Sequence, residues 1–229
     1  MPNPGLARTL EEAPRMKARA REAGKRLRFS VAGFAPAEYG ILAETLFPFG
    51  DIELNLGCPN VWLAGDGKQE QKPIASFDLA VMESILTIVE DTLRKIEDDT
   101  QLFDVKVSPY SDPGLLKKVA WLVKGFWPRK LITCNTFPNG VADIATPGGF
   151  GGVGGNAMHT IALGQAKQFV AEFADIPIQV VGVGGIDSGS RMLGMKSTGA
   201  TGIQVGTALG ERGARIFSEM LTEYAELVP

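Results

Sequence analysis

Cys58 stands between two carboxamides in the run Asn55-Leu56-Gly57-Cys58-Pro59-Asn60. Proline fixes its own φ and steers the residue before it away from helical geometry, so the thiol sits on a stiff turn. Asn55 and Asn60 both donate and accept hydrogen bonds, which suits the edge of a planar, imide-like ligand. A thiol held this way is a candidate proton-transfer group. The same residues also read as a strand end with a packed cysteine and two turn-forming asparagines. Spacing alone leaves both readings open.

Two further features carry chemistry. Gly184-Gly185 and Gly206-Thr207 each follow an apolar run and precede a helical one, an arrangement whose backbone N–H groups can cradle a phosphate. Lys106 reads as the only charge inside an apolar strand, and an ammonium is costly to bury idle, so an anion or a polar ring edge is its expected partner. A lysine snorkelling from a strand end is the alternative. The glycine-rich loop around Phe150 lets backbone approach a flat ring. The sole histidine, His159, falls in a helical stretch and is expected to pack or face solvent. Cys134 lies within an apolar strand and reads as core. The basic span Met16–Arg28 has no interleaved aromatics, so it reads as a solvated helix face rather than a base-stacking surface.

These groups need elements to hold them. Six short strands are expected at Arg28–Phe34, Asp51–Leu56, Leu102–Val107, Lys130–Asn135, Ile178–Val183 and Gly202–Val205. Helical periodicity fills the intervals, most clearly in Leu79, Met82, Ile85, Leu86, Val89, Leu93 and Ile96, with Ser76 as the expected cap. Asp112-Pro113 and Ser188 cap two others. Pro14 is expected to kink or split a first helix near Leu6–Ala23. The polar stretch Val61–Ala75 is long enough for an active-site flap. The run from Pro147 to Gly155 is too glycine-rich to form an element. Strands alternating with helices imply a parallel sheet with right-handed crossovers. In a TIM-type (β/α) barrel, every feature singled out falls on one face. An open doubly wound sheet is the competitor.

At 229 residues, 45% hydrophobic and 21% charged, the chain suits one globular domain spanning 1–229. A net charge of −3 argues against nucleic-acid binding. Two cysteines make no disulfide framework, which points to a reducing cytoplasm. No apolar leader and no membrane-spanning run is evident. One histidine assembles no triad and no His-rich metal site.

The sequence resembles the dihydroorotate dehydrogenases, specifically the soluble, fumarate-dependent class. The resemblance covers nearly the whole chain and is carried by five segments. They are Ser30-Val31-Ala32-Gly33, Glu53 to Asn60, Val105-Lys106-Val107-Ser108-Pro109-Tyr110, Gly149 to Gly155, and Gly199 to Ala208 (GATGIQVGTA). It implies an FMN-containing barrel, with dihydroorotate and orotate as substrate and product, fumarate as electron acceptor, and a homodimer. Cys58 then resembles the base that removes the C5 proton. Asn55, Asn60, Asn135 and Thr136 resemble ligands of the pyrimidine, Asn135 also reaching the flavin. Lys106 resembles the lysine at the flavin N1/O2 edge, and Gly152, Gly184, Gly185, Gly206 and Thr207 resemble the rest of the cofactor site.

Departures from the family are also expected to matter. Gly57 replaces a common serine, a change expected to be tolerated. The loop Val61–Ala75 is longer than the family's compact turn. Met1 to Gly5 resembles only the tail of the family's second-strand loop, so six of eight barrel strands are expected. The strands at 28–34 and 202–205 are then edges, and the chain alone is expected to be flavin-poor, with little activity. A catalytically silent member that at most binds a phosphate ligand is the alternative. An unrelated phosphate-binding barrel isomerase would have no need of Cys58 between two asparagines.

Overall fold

A computed structural model describes residues 4–59, 62–65, 68–96, 102–141 and 149–228. Six strands form one parallel sheet: β1 (Arg28–Val31), β2 (Asp51–Asn55), β5 (Phe103–Val107), β6 (Lys130–Thr133), β9 (Gln179–Val183) and β10 (Gly202–Gln204). Two antiparallel hairpins lie outside it, β3–β4 (Trp62–Gly65, Lys68–Gln71) and β7–β8 (Phe137–Val141, Phe150–Val153). Sheet order follows chain order, β1-β2-β5-β6-β9-β10. A doubly wound sheet needs a point where strand order reverses. None exists among the described strands, so the sheet is of barrel type.

Its curvature is shown by one contact. Gln204 in β10 and Glu53 in β2 are four strands apart, which in a flat sheet is roughly 19 Å at ~4.8 Å per step. Yet Gln204 Nε2 donates to Glu53 Oε2 at 2.5 Å. The sheet therefore curls until these side chains meet across its hollow. Among the described residues β1 and β10 do not pair with each other, so the barrel is open on that side.

Among the described residues, eight helices connect or flank the strands: α1 (Gly5–Glu22), α2 (Pro36–Leu46), α3 (Leu79–Leu93), α4 (Pro113–Phe126), α5 (His159–Glu172), α6 (Gly189–Lys196), α7 (Thr207–Arg212) and α8 (Arg215–Leu227). α1 runs through Pro14 as one helix, so the proline does not split it. Asp112 caps α4 with Pro113 at its first position, and Ser188 caps α6, as expected. The cap of α3 is Asp78, whose carboxylate accepts from Ala80 N and Val81 N at 3.0 and 3.1 Å. Ser76, the expected cap, sits just before it, buried, and hydrogen-bonds Ser108 Oγ at 2.8 Å.

The strands alternate. Phe29, Val31, Ile52, Leu54, Phe103, Val105 and Val107 point outward and are buried among the apolar residues of α2, α3 and α4. Arg28, Ser30, Asp51, Glu53, Asn55, Asp104 and Lys106 share the opposite, concave face, because side chains alternate with a period of two. Lys106 is thus not the only charge in these strands: Glu53 is 2% exposed and Asp104 is 0% exposed. At the base of the hollow Asp104 meets Arg28 at 2.9 Å and Arg129 at 3.3 Å, while Asp51 meets Arg26 at 2.6 Å and Arg129 at 3.1 Å. Burial pushes the Asp104 carboxyl up, against the downward pull of Arg129 and Arg28.

Replacing Asp78 with Ala removes the α3 cap and is expected to cost about 1 kcal/mol, the usual worth of such a cap. Urea unfolding of the variant measures it directly. An unchanged midpoint would mean that water or another group caps the helix.

Candidate active site

The C-terminal ends of five sheet strands converge on one place. Asn55 at the end of β2 is the register partner of Lys106 near the end of β5. Asn135, two residues beyond β6, donates from Nδ2 to Asn55 Oδ1 at 2.7 Å. Its own carbonyl oxygen accepts from Thr136 N at 2.9 Å, which fixes the orientation of the amide. The NH₂ group of Asn55 and the second N–H of Asn135 thereby remain as donors for a ligand.

Beside this pair lies a cavity of about 410 Å³. Lys106, Asn135 and Thr136 line it, as do the glycine turns Gly184-Gly185 and Gly206-Thr207. Both Gly184 and Gly185 have positive φ (134° and 62°), a region that favours glycine. A Cβ on Gly185 would stand 2.7 Å from the Gly155 carbonyl oxygen, so the wall admits no side chain there. Two side chains hold this turn, and neither role is evident from sequence. Arg191 donates from Nη1 to the Gly185 carbonyl at 2.8 Å, and also bonds Asn156 Oδ1. It sits 3.3 Å from Asp187, neutralising a carboxylate that would otherwise face the cavity. His159 is the other: Nδ1 lies 3.0 Å from the Gly184 carbonyl, a contact that needs the proton on Nδ1. Rather than merely packing or facing solvent, the histidine buttresses the glycine turn.

Gly152 belongs to β8 and does not line the cavity. A Cβ there would collide with Thr136 Oγ1 and stand 3.1 Å from Pro59 Cγ, so this glycine lets the β7–β8 hairpin lie against the Cys58 turn. The run from Pro147 to Gly155, expected to form no element, therefore contributes a strand. Glycine lowers strand propensity, and hairpin pairing overrides it here.

The two thiols differ. Cys134 is buried, and burial pushes its pKa up to about 12, as befits the expected core residue. Cys58 is half-buried and lies near Tyr39 and Lys72. Lys72 donates to the Gly33 carbonyl at 2.6 Å and lies 5.8 Å over the Tyr39 ring. Burial lowers its pKa, while Glu38 and then Cys58 oppose that shift. Tyr39 is raised to about 12, chiefly by burial. The stretch Val61–Ala75, expected to be an irregular loop, contains the β3–β4 hairpin, and Lys72 follows its second strand. Asn60 lies outside the described residues.

Below the site lies a buried polar web. Gln165 on α5, 3% exposed, accepts from Tyr110 N at 2.7 Å and donates to Ser108 O and Thr133 Oγ1 at 2.8 and 2.6 Å. A glutamine on the otherwise apolar buried face of α5 is its only sequence signal. Among the described residues no group of His, Cys, Asp and Glu is arranged to hold a metal ion. No described helix is long and apolar enough to cross a membrane.

A family model described as "Dihydroorotate dehydrogenase" matches residues 1–228. The chain belongs to the dihydroorotate dehydrogenase family. It is 30% identical over 212 residues to the "Dihydroorotate dehydrogenase A (fumarate)" of Lactococcus lactis subsp. lactis, covering 87% of this chain and 63% of that protein. It is also 30% identical over 212 residues to the "Dihydroorotate dehydrogenase (fumarate)" of Lachancea kluyveri, covering 87% of this chain and 62% of that one. The chain thus spans under two thirds of the length of these family members. In fold, it matches a dihydroorotate dehydrogenase of Eimeria tenella, solved in complex with ferulenol, at a TM-score of 0.74 and 16% identity, over 94% of this chain and 63% of that one. That likeness supports the barrel architecture.

The glycine at position 57 has a structural cause. A Cβ on Gly57 would lie 2.7 Å from Ser108 N and 2.8 Å from Val107 C, both backbone atoms of the neighbouring strand end. A serine at this position does not fit here without displacing β5, so a glycine is what this backbone accepts. Gly57→Ser is expected to destabilise this family member by about 2 kcal/mol through overpacking. Urea denaturation of the variant decides it: an unmoved midpoint would show that the ends of β2 and β5 part without cost.

Proposed function

We propose that residues 1–229 form a single FMN-binding barrel domain that oxidises dihydroorotate to orotate, with fumarate as the electron acceptor. The observation that carries this reading is the shared cavity: Lys106, Asn135, Thr136, Gly184, Gly185, Gly206 and Thr207, drawn from four strand ends, line one space. Its volume of about 410 Å³ falls in the usual range for ligand and cofactor sites. The glycine turns Gly184-Gly185 and Gly206-Thr207 border the cavity where a phosphate would lie, with Arg191 cancelling the Asp187 charge nearby. Lys106 supplies a cation where an electron-rich ring edge would lie. The fumarate assignment rests on the names of the relatives, and a reducing cytoplasm suits the two free thiols.

In this reading each residue has a task. Asn55 and Asn135 hold the pyrimidine edge through their free amide donors, and Asn60 and Thr136 complete that set. Cys58 takes the C5 proton from dihydroorotate as general base. Bound FMN supplies the acceptor for the hydride leaving C6, so that a C5=C6 double bond forms. Lys72, close to Cys58, adds a positive charge on the side where the thiolate forms.

The open side of the barrel favours a second reading, in which the chain holds a phosphate ligand without turnover. Flavin absorbance of the purified protein, followed by its bleaching with dihydroorotate, separates the two.

Two substitutions test the assignments. Cys58→Ala is expected to slow dihydroorotate-dependent flavin reduction by about 10²–10⁴-fold, the typical contribution of a general base, while bound flavin is retained. Rapid-mixing absorbance reads it, and an undiminished rate would remove Cys58 from the mechanism. Gly185→Val drives a side chain against the Gly155 carbonyl and His159, displacing the turn that borders the cavity, and is expected to weaken FMN binding by about tenfold or more. Fluorescence titration with FMN checks this; unchanged affinity would put the phosphate elsewhere.

A further inference from the structure

Glu53 is a deeply buried charge beside the candidate site, 2% exposed, and the reaction outlined above gives it no task. Its surroundings are specific. Oε1 accepts from Ser30 Oγ at 2.9 Å and lies 3.9 Å from Lys106 Nζ; Oε2 accepts from Gln204 Nε2 at 2.5 Å. Gln204 in turn accepts from Lys106 Nζ through Oε1 at 3.3 Å. One amide therefore bridges an anion and a cation, with each of its ends committed to the partner of matching polarity. Lys106 and Gln204 both line the cavity, whereas Glu53 lies behind them.

We propose that Glu53 is a positioning residue that holds the Lys106 ammonium at the cavity floor, directly and through Gln204, and sets how much positive charge that floor presents. Lysine has a long stem with many rotamers, and an unrestrained ammonium would swing toward water. A carboxylate fixed by three polar contacts limits that freedom. The same carboxylate partly cancels the lysine's field, because in a poorly hydrated hollow opposite charges a few ångströms apart are little screened. The holding part stands on the contacts alone. The charge-setting part rests on the reading that Lys106 faces the edge of a bound flavin.

Two measurements on the full 229-residue chain test it. The first needs no flavin: urea unfolding of Glu53→Gln, Lys106→Met and the double variant. A coupled pair makes the double variant lose less stability than the sum of the single losses. Additive losses would overturn the holding role. The second is the midpoint potential of bound FMN. Lys106→Met is expected to shift it down, because a cation stabilises the reduced, anionic ring. Glu53→Gln is expected to shift it up, because the lysine's charge is no longer offset. Combined with Lys106→Met, Glu53→Gln is expected to shift it up by at least as much, because the fields of the two charges add and no released ammonium then opposes the change. No upward shift on adding Glu53→Gln to Lys106→Met overturns the charge-setting role. If Glu53→Gln does not fold, Glu53→Asp, which draws the carboxylate back by one methylene, is expected to give a smaller upward shift, and no shift overturns it. Failure of the wild-type chain to take up FMN would count against the cofactor reading, while the unfolding cycle would still decide the holding role.

Discussion

The side chain of Gln204 crosses the hollow of the sheet, and the geometry of the site depends on that crossing. It ties the last strand to β2 and β5, and so brings the glycine turns after β9 and β10 to face Asn55 and Lys106. Without the curl, the strand ends would be spread along an edge and the cavity would not exist. Backbone twist permits the curl, since parallel strands coil readily. The polar bridge selects one curvature from those available, because a buried amide, carboxylate and ammonium are costly unless all three are paired.

The sheet divides labour between its faces. Outward residues such as Ile52, Leu54 and Val105 pack against α2, α3 and α4, and most of the apolar burial lies there. The concave face carries ions and amides. Cohesion and chemistry are therefore borne by alternate residues of the same strands. A smaller apolar cluster, with Met158, Met195, Ile216 and Met220, supports β9 and β10 in the same manner. The web of Gln165, Ser76, Ser108 and Tyr110 joins the two regions beneath Asn135, so the loop after β5 is held from both sides.

Much of this is legible in the sequence. All six sheet strands fall within a few residues of their expected places, because each is short, bounded by turn residues and followed by a helical period. The residues grouped for a phosphate and a ring edge do share a cavity. The subtler signal is the alternation Asp51-Ile52-Glu53-Leu54-Asn55 and Asp104-Val105-Lys106-Val107. Taken as apolar strands around one lysine, these runs hide their two-residue period, which marks a polar inner face. Neither hairpin is evident from sequence, because their strands are poor in β-branched residues and rich in glycine, lysine and glutamine, so only pairing reveals them. The roles of His159 and Arg191 have no local pattern at all. Their partners are backbone carbonyls of a turn, and such carbonyls carry no signature.

The charged floor of the hollow also has a direction. At its base Arg26, Arg28, Arg129 and Lys130 outnumber Asp51 and Asp104, and burial together with the neighbouring arginines pushes the Lys130 ammonium toward its neutral form. Above them, nearer the cavity, Glu53 and Lys106 form a closer-matched pair. The interior is therefore electrically graded along the barrel axis, positive at depth, with low-dielectric walls to channel the field lines. Any anion lodged at the mouth experiences a pull assembled from several layers. Such a pull is insensitive to the loss of any one contributor and makes no demand on the anion's shape. Discrimination among anions is then left to the short-range amides at the rim, Asn55 and Asn135, so that attraction and recognition reside in different storeys of one strand bundle.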